Sequence, residues 1–125
     1  MDRIQWIEHK GKKILYIDYS NLHTSVPAQK EEALEVMRQV RRIFEALNEK
    51  TLFISDVTDS VPDKDTLDGL KELAGFANEK QIVAKECVVG MSSMQKVLMN
   101  VINFVSRARL TMFDSVEEAK EWLVQ

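Results

Sequence analysis

Asp56 and Asp59 stand three residues apart in the polar run Asp56-Val57-Thr58-Asp59-Ser60-Val61-Pro62-Asp63-Lys64-Asp65. Hard divalent cations select carboxylate oxygens, so this pair is the natural candidate for metal-assisted chemistry. Thr58 and Ser60 add hydroxyls that could take a phosphate or touch a partner. The same residue types also build turns and helix caps, because their short side chains bond to nearby backbone groups. That second reading is the stronger one, and neither a metal nor a cofactor is assigned. Other chemistry is poorly supported. Cys87 lies in the apolar run Glu86-Cys87-Val88-Val89, where a thiol is buried and inert. There is no Gly-x-Ser-x-Gly elbow. His9 and His23 fall in expected loops without a partner, and no Cys/His set has metal-ligand spacing. Gly90-Met91-Ser92-Ser93 could offer N–H groups to an anion at a helix start. The expectation is a chain with no catalytic residues.

These residues are positioned by an apolar rhythm that switches repeatedly between strand and helix. Ile4, Trp6 and Ile7 form a first strand, His9-Lys10-Gly11-Lys12 a turn, and Ile14-Leu15-Tyr16-Ile17 a second strand apolar enough to be covered on both faces. The spacing of Ala33, Leu34, Met37, Val40, Phe44 and Leu47 predicts a helix over 28–47, with Pro27 near its start. Leu52-Phe53-Ile54 is a third strand. A helix over 66–78 follows, with Leu67, Leu70, Leu73, Ala74 and Ala77 inward; Gly69 and Gly75 mark either points of close packing or neutral drift. Cys87-Val88-Val89 is a fourth strand, and Ser92 and Gln95 have capping-box spacing at the head of a helix reaching about residue 107. Leu110-Thr111-Met112-Phe113 is a fifth strand. Ser115 and Glu118 repeat the capping box before a closing helix with Val116, Ala119, Trp122 and Leu123 inward. The order ββαβαβαβα predicts a single α/β domain over residues 1–125: a five-stranded, mostly parallel sheet with four helices.

In such a sheet, ligands gather outside the carboxyl ends of the strands. Asp18 ends the second strand and Asp56 the third, so both carboxylates belong to that edge. A receiver-type phosphoacceptor centre would need a second acidic residue beside Asp18 and a lysine after the fifth strand. Asp114 holds the latter place, so that mechanism is set aside.

At 125 residues, with 45% hydrophobic and 30% charged residues, the chain is long enough to bury its own core. The net charge of −3 argues against a nucleic-acid partner. Arg38, Arg41 and Arg42 share their helix with Glu35, Glu45 and Glu49, as expected of a solvated ion-pair face. A single cysteine excludes an internal disulfide. No run approaches the ~20 apolar residues that cross a bilayer, and a cytoplasmic location is the simplest expectation. The helix over 92–107 carries a wide apolar stripe. Met94, Met99, Ile102 and Phe104 on it are candidates for a homodimer surface or for a groove that takes a lipid or other apolar ligand.

The order of elements resembles the STAS fold and, within it, small SpoIIAA-like proteins. The residues that carry the resemblance are 11–20 (Gly11-Lys12-Lys13-Ile14-Leu15-Tyr16-Ile17-Asp18-Tyr19-Ser20), Asp56-Val57-Thr58, Val88-Val89-Gly90 and the tail 113–123 (Phe113-Asp114-Ser115-Val116-Glu117-Glu118-Ala119-Lys120-Glu121-Trp122-Leu123). Anti-sigma-factor antagonists of this fold carry Asp-Ser-Ser-Gly-Leu where the helix after the third strand begins, and a kinase partner phosphorylates a serine there. Asp65-Thr66-Leu67-Asp68-Gly69-Leu70 is the corresponding stretch here, with threonine for serine and one extra residue before the glycine. The resemblance therefore implies a non-enzymatic regulatory module. It would dock a kinase or anti-sigma type partner through Asp56, Thr58, Asp59, Ser60, Asp65 and Thr66, with Thr66 in the phosphoacceptor place. SpoIIAA-like proteins are also similar to lipid-transfer domains of the CRAL-TRIO type, which implies an apolar ligand as the second class of function.

Overall fold

The computed structural model describes residues 2–92 and 111–125. The elements run β1 (Ile4–His9), β2 (Lys12–Asp18), α1 (Pro27–Ala46), β3 (Thr51–Asp56), α2 (Lys64–Lys80), β4 (Val83–Val89), β5 (Thr111–Phe113) and α3 (Val116–Leu123). The five strands form one sheet in the order β1-β2-β3-β4-β5. The sheet is mixed: β1 pairs antiparallel with β2, and β2–β3, β3–β4 and β4–β5 are parallel. This corrects the expectation of a mostly parallel sheet. The reason is the short link between the first two strands, since a tight turn can only reverse the chain. Lys10 and Gly11 make that turn with φ of 51° and 81°, the doubly left-handed geometry of a two-residue hairpin. Three helices lie among the described residues. The further helix expected over 92–107 falls outside them, and with it Met94, Met99, Ile102 and Phe104.

Strand β2 is central and has apolar residues on both sides, so each face of the sheet can bury its own core. Leu15 and Ile17 join Val40 and Phe44 of α1, Phe53 of β3 and Leu73 and Ala77 of α2 on one face. Ile14, Ile54, Cys87 and Val89 meet Ala119 and Leu123 of α3 on the other. Ile14, Leu15 and Ile54 are wholly buried. Because the sheet order advances in one direction, crossovers of one hand place α1 and α2 side by side on the same face. Their approach is close at Gly69, where an added Cβ would overlap Met37 Cε, whereas Gly75 has open space around its Cα. Of the two glycines read as packing signals, only the first is one.

Helix starts follow the expected chemistry. Pro27 opens α1. Ser115 caps α3, its Oγ accepting from the Glu118 N–H at 3.2 Å. Helix α2 begins two residues before the expected point, because Asp63 is its N-cap and accepts from the Thr66 N–H at 3.0 Å.

Candidate functional site

The carboxyl ends of β2, β3, β4 and β5 converge on one rim, and two loops close over it. The 19–26 loop and the 56–63 loop are tied as a short parallel ladder. Tyr19 N–H donates to Asp56 O at 2.8 Å, Asn21 N–H to Thr58 O at 2.9 Å, Val61 N–H to Leu22 O at 2.9 Å and Thr24 N–H to Val61 O at 3.0 Å. A bridge pairs His23 with Val61. The Asp63 N–H donates to Thr24 Oγ1 at 2.5 Å, joining the ladder to the start of α2. Backbone groups that would otherwise seek water are thus paired, and both loops are held in shape.

The rim's acidic residues are mostly consumed by this framework. Asp56 Oδ1 accepts from the Thr58 N–H at 3.0 Å and the Thr58 hydroxyl at 2.6 Å, and Oδ2 accepts from the Tyr16 hydroxyl at 2.7 Å. Burial and that carboxylate together push the Tyr16 phenol above its usual range. Asp18 Oδ1 accepts from the Ser20 N–H at 2.8 Å and lies 3.6 Å from the Arg3 guanidinium. Both carboxylates sit at the same edge in register, as expected, but each holds its own loop. Asp59 is exposed with φ of 55°, a turn position that aspartate tolerates. Among the described residues, no group of three or more His, Cys, Asp or Glu is placed to hold a metal ion.

Thr66 is 3% exposed, and its hydroxyl donates to Asp63 Oδ1 at 2.7 Å. A kinase could reach it only by unwinding the first turn of α2. Ser60 is likewise buried, while Thr58, Asp59 and Asp65 face solvent. Asp63 also pairs with Lys30 at 2.8 Å. The Lys30 ammonium, then the Thr66 bonds, hold the Asp63 carboxyl far below the usual carboxylate range. A carboxylate stabilised this way supports the fold at neutral pH and loses that support as acid protonates it. Asp63→Ala is therefore expected to lower the melting temperature at pH 7, and the gap from wild type should close as pH falls from about 5 towards 1. Thermal unfolding across that range checks it.

Sequence reasoning missed the rim's exposed apolar residues. Val61 is 57% and Val26 42% exposed, each on one of the tied loops. A lone valine in a polar loop carries no periodic signal, and only the ladder shows that both are presented on a fixed frame. Cys87 is 1% exposed, and burial pushes its thiol up to about 12. His9, expected in a loop without a partner, instead ends strand β1 and lies 2.8 Å from Glu121, tying β1 to α3. Arg38 pairs with Glu31 and Glu35, and Arg41 stacks over Phe76, with its guanidinium carbon 4.0 Å from the ring centroid. The Gly90 N–H donates to Phe113 O at 3.0 Å, so it is already in use.

No family model matches the sequence, and no curated protein matches it. In structure the chain is similar to an uncharacterized protein from the DUF3478 family with a SpoIIAA-like fold, from Shewanella loihica PV-4. The two share 14% sequence identity and a TM-score of 0.69, over 96% of this chain and 91% of that one. The fold is thus SpoIIAA-like, as the sequence resemblance implies. No helix among the described residues is long and apolar enough to cross a membrane.

Proposed function

We propose, from the premise of a SpoIIAA-like fold, that this chain is a non-enzymatic regulatory module that docks a protein partner through the rim formed by the 19–26 and 56–63 loops and the start of α2. The observation that carries the reading is the pair of exposed valines, Val26 and Val61, held on loops whose backbone groups are bonded to each other. Exposed apolar side chains on a fixed frame lose little conformational freedom on binding, which is what makes a docking surface effective. Aspartates 59, 63, 65 and 68 surround this end of the molecule against Lys30 and Lys64. The matching partner surface is apolar at its centre and basic at its edge, and its charges set approach and orientation more than strength. The carboxylates and hydroxyls of the rim are spent on caps and turns, which supports recognition rather than turnover.

Burying one valine is worth roughly a tenfold change in affinity or more. Val26→Asp and Val61→Asp are each expected to weaken partner recovery by the tagged chain at least about tenfold, with thermal unfolding unchanged for the exposed Val61 and unchanged or raised for Val26, where aspartate would cap α1. Undiminished recovery by the double variant would count against the rim.

A further inference from the structure

Beneath α2, on the face opposite α3, the structure holds a cavity of about 110 Å³. Its walls are the apolar side chains of β2, β3, α1 and α2, among them Phe44, Phe53, Leu70 and Ala74. Two polar side chains of the sheet join this lining, Ser55 of β3 and Glu86 of β4, and Lys71 lines it from α2. Glu86 stands beside Phe53 in the sheet register, and Ser55 beside Val88. Among the described residues, none gives the Glu86 carboxyl a hydrogen bond or an ion pair, and burial alone accounts for its weakened acidity.

A mostly buried carboxyl facing an apolar hollow without a partner is unfavourable, since it gives up part of its hydration and gains no bond in return. A purely apolar wall would pack better. The residue makes sense once something in the hollow bonds to it. Dry apolar cavities of about 150 Å³ take a molecule of benzene's size, and this one is smaller but not fully closed at its mouth. We propose that the cavity is a binding site for a small apolar molecule that carries one hydroxyl or amino donor, its apolar body against Phe44 and Phe53 and its donor bonded to Glu86. Tyr19 and Val57 of the rim loops also line the cavity, but its interior is not the exposed surface of Val26 and Val61, and the proposal does not depend on the rim's role.

The test compares phenol with benzene as probes, by NMR titration of the full chain at pH 6. Phenol should bind about tenfold more tightly than benzene, the worth of one hydrogen bond, with shifts centred on Tyr19, Phe53, Ala74 and Glu86. Glu86→Leu should bring the two probes to parity, Glu86→Gln should keep the preference through its carbonyl oxygen, and Ala74→Leu should weaken both probes by filling the hollow. Equal binding of the two probes to wild type would reduce the cavity to a packing void and overturn the proposal. So would saturable shifts centred elsewhere, or none at all. If the leucine variant does not fold, the wild-type ratio and Ala74→Leu decide the matter by themselves.

Discussion

Replacing Gly90 by alanine is expected to destabilise the fold by about 2–5 kcal/mol. Two costs combine. Gly90 has φ of 82°, a conformation in which a side chain is strained. A Cβ there would also stand 2.9 Å from the Thr58 Cα and overlap Thr58 Oγ1. The neighbour is backbone, held by the bonds of Thr58 to Asp56, so it has little room to give. The glycine at the exit of β4 is what lets the 56–63 loop seat against the sheet. Urea denaturation checks the value. Gly75→Ala serves as the control, because its Cβ meets nothing and its backbone needs no special angle. That control should be neutral or stabilising by up to about 1 kcal/mol. Thr58→Ala should recover part of the Gly90→Ala loss, since the two sites touch. A Gly90→Ala variant as stable as wild type would mean the loop does not seat as described.

The second large effect has the opposite sign. Burial lifts the Glu86 carboxyl from its ordinary 4.5 to about 7. Between those values the unfolded chain has released the proton and the folded one has kept it, so stability falls as pH rises. The penalty is absent below about pH 4.5 and complete above about pH 7, and with partial exposure taken into account it amounts to about 2–3 kcal/mol. Glu86→Leu should therefore raise stability at pH 8 by roughly that amount. At pH 4.5 it should change much less, and the fall in stability between pH 5 and 7 should flatten. The groups lining the same hollow are Tyr19, whose buried phenol stays neutral, and Lys71, which faces solvent. Denaturation midpoints of both proteins at pH 5 and pH 8 settle it. A leucine variant less stable than wild type at pH 8 would show that Glu86 is stabilised where it stands.

Much of the architecture was legible because it rests on local rules. The unbroken apolar run from Ile14 to Ile17 marked β2 as buried on both faces, and Ser115 with Glu118 marked the closing helix. The sequence pattern points to Thr66 as the first residue of α2, whereas the aspartate three positions earlier is the cap. That spacing was available as a signal. Glu86 is hidden in the sequence for a physical reason: a charged residue in a strand suggests a solvent face, and only Val88, two residues on and sharing the inward face, shows otherwise. The rim was half visible. Its acidic loop stands out in the sequence, but Val26 and Val61 gain their meaning from hydrogen bonds between segments 37 to 39 residues apart, which no local pattern encodes.

The most direct measurement is site-specific photo-crosslinking in cells, with a photoreactive residue placed in turn at positions 26, 61 and 50. Lys50 is exposed and precedes β3, at the opposite end of the strands from the rim. A discrete adduct to one protein from positions 26 and 61, absent from 50 and lost when the other valine becomes aspartate, is the predicted result. An adduct that forms only from position 50, or one from 26 and 61 that survives those substitutions, would contradict docking at the rim.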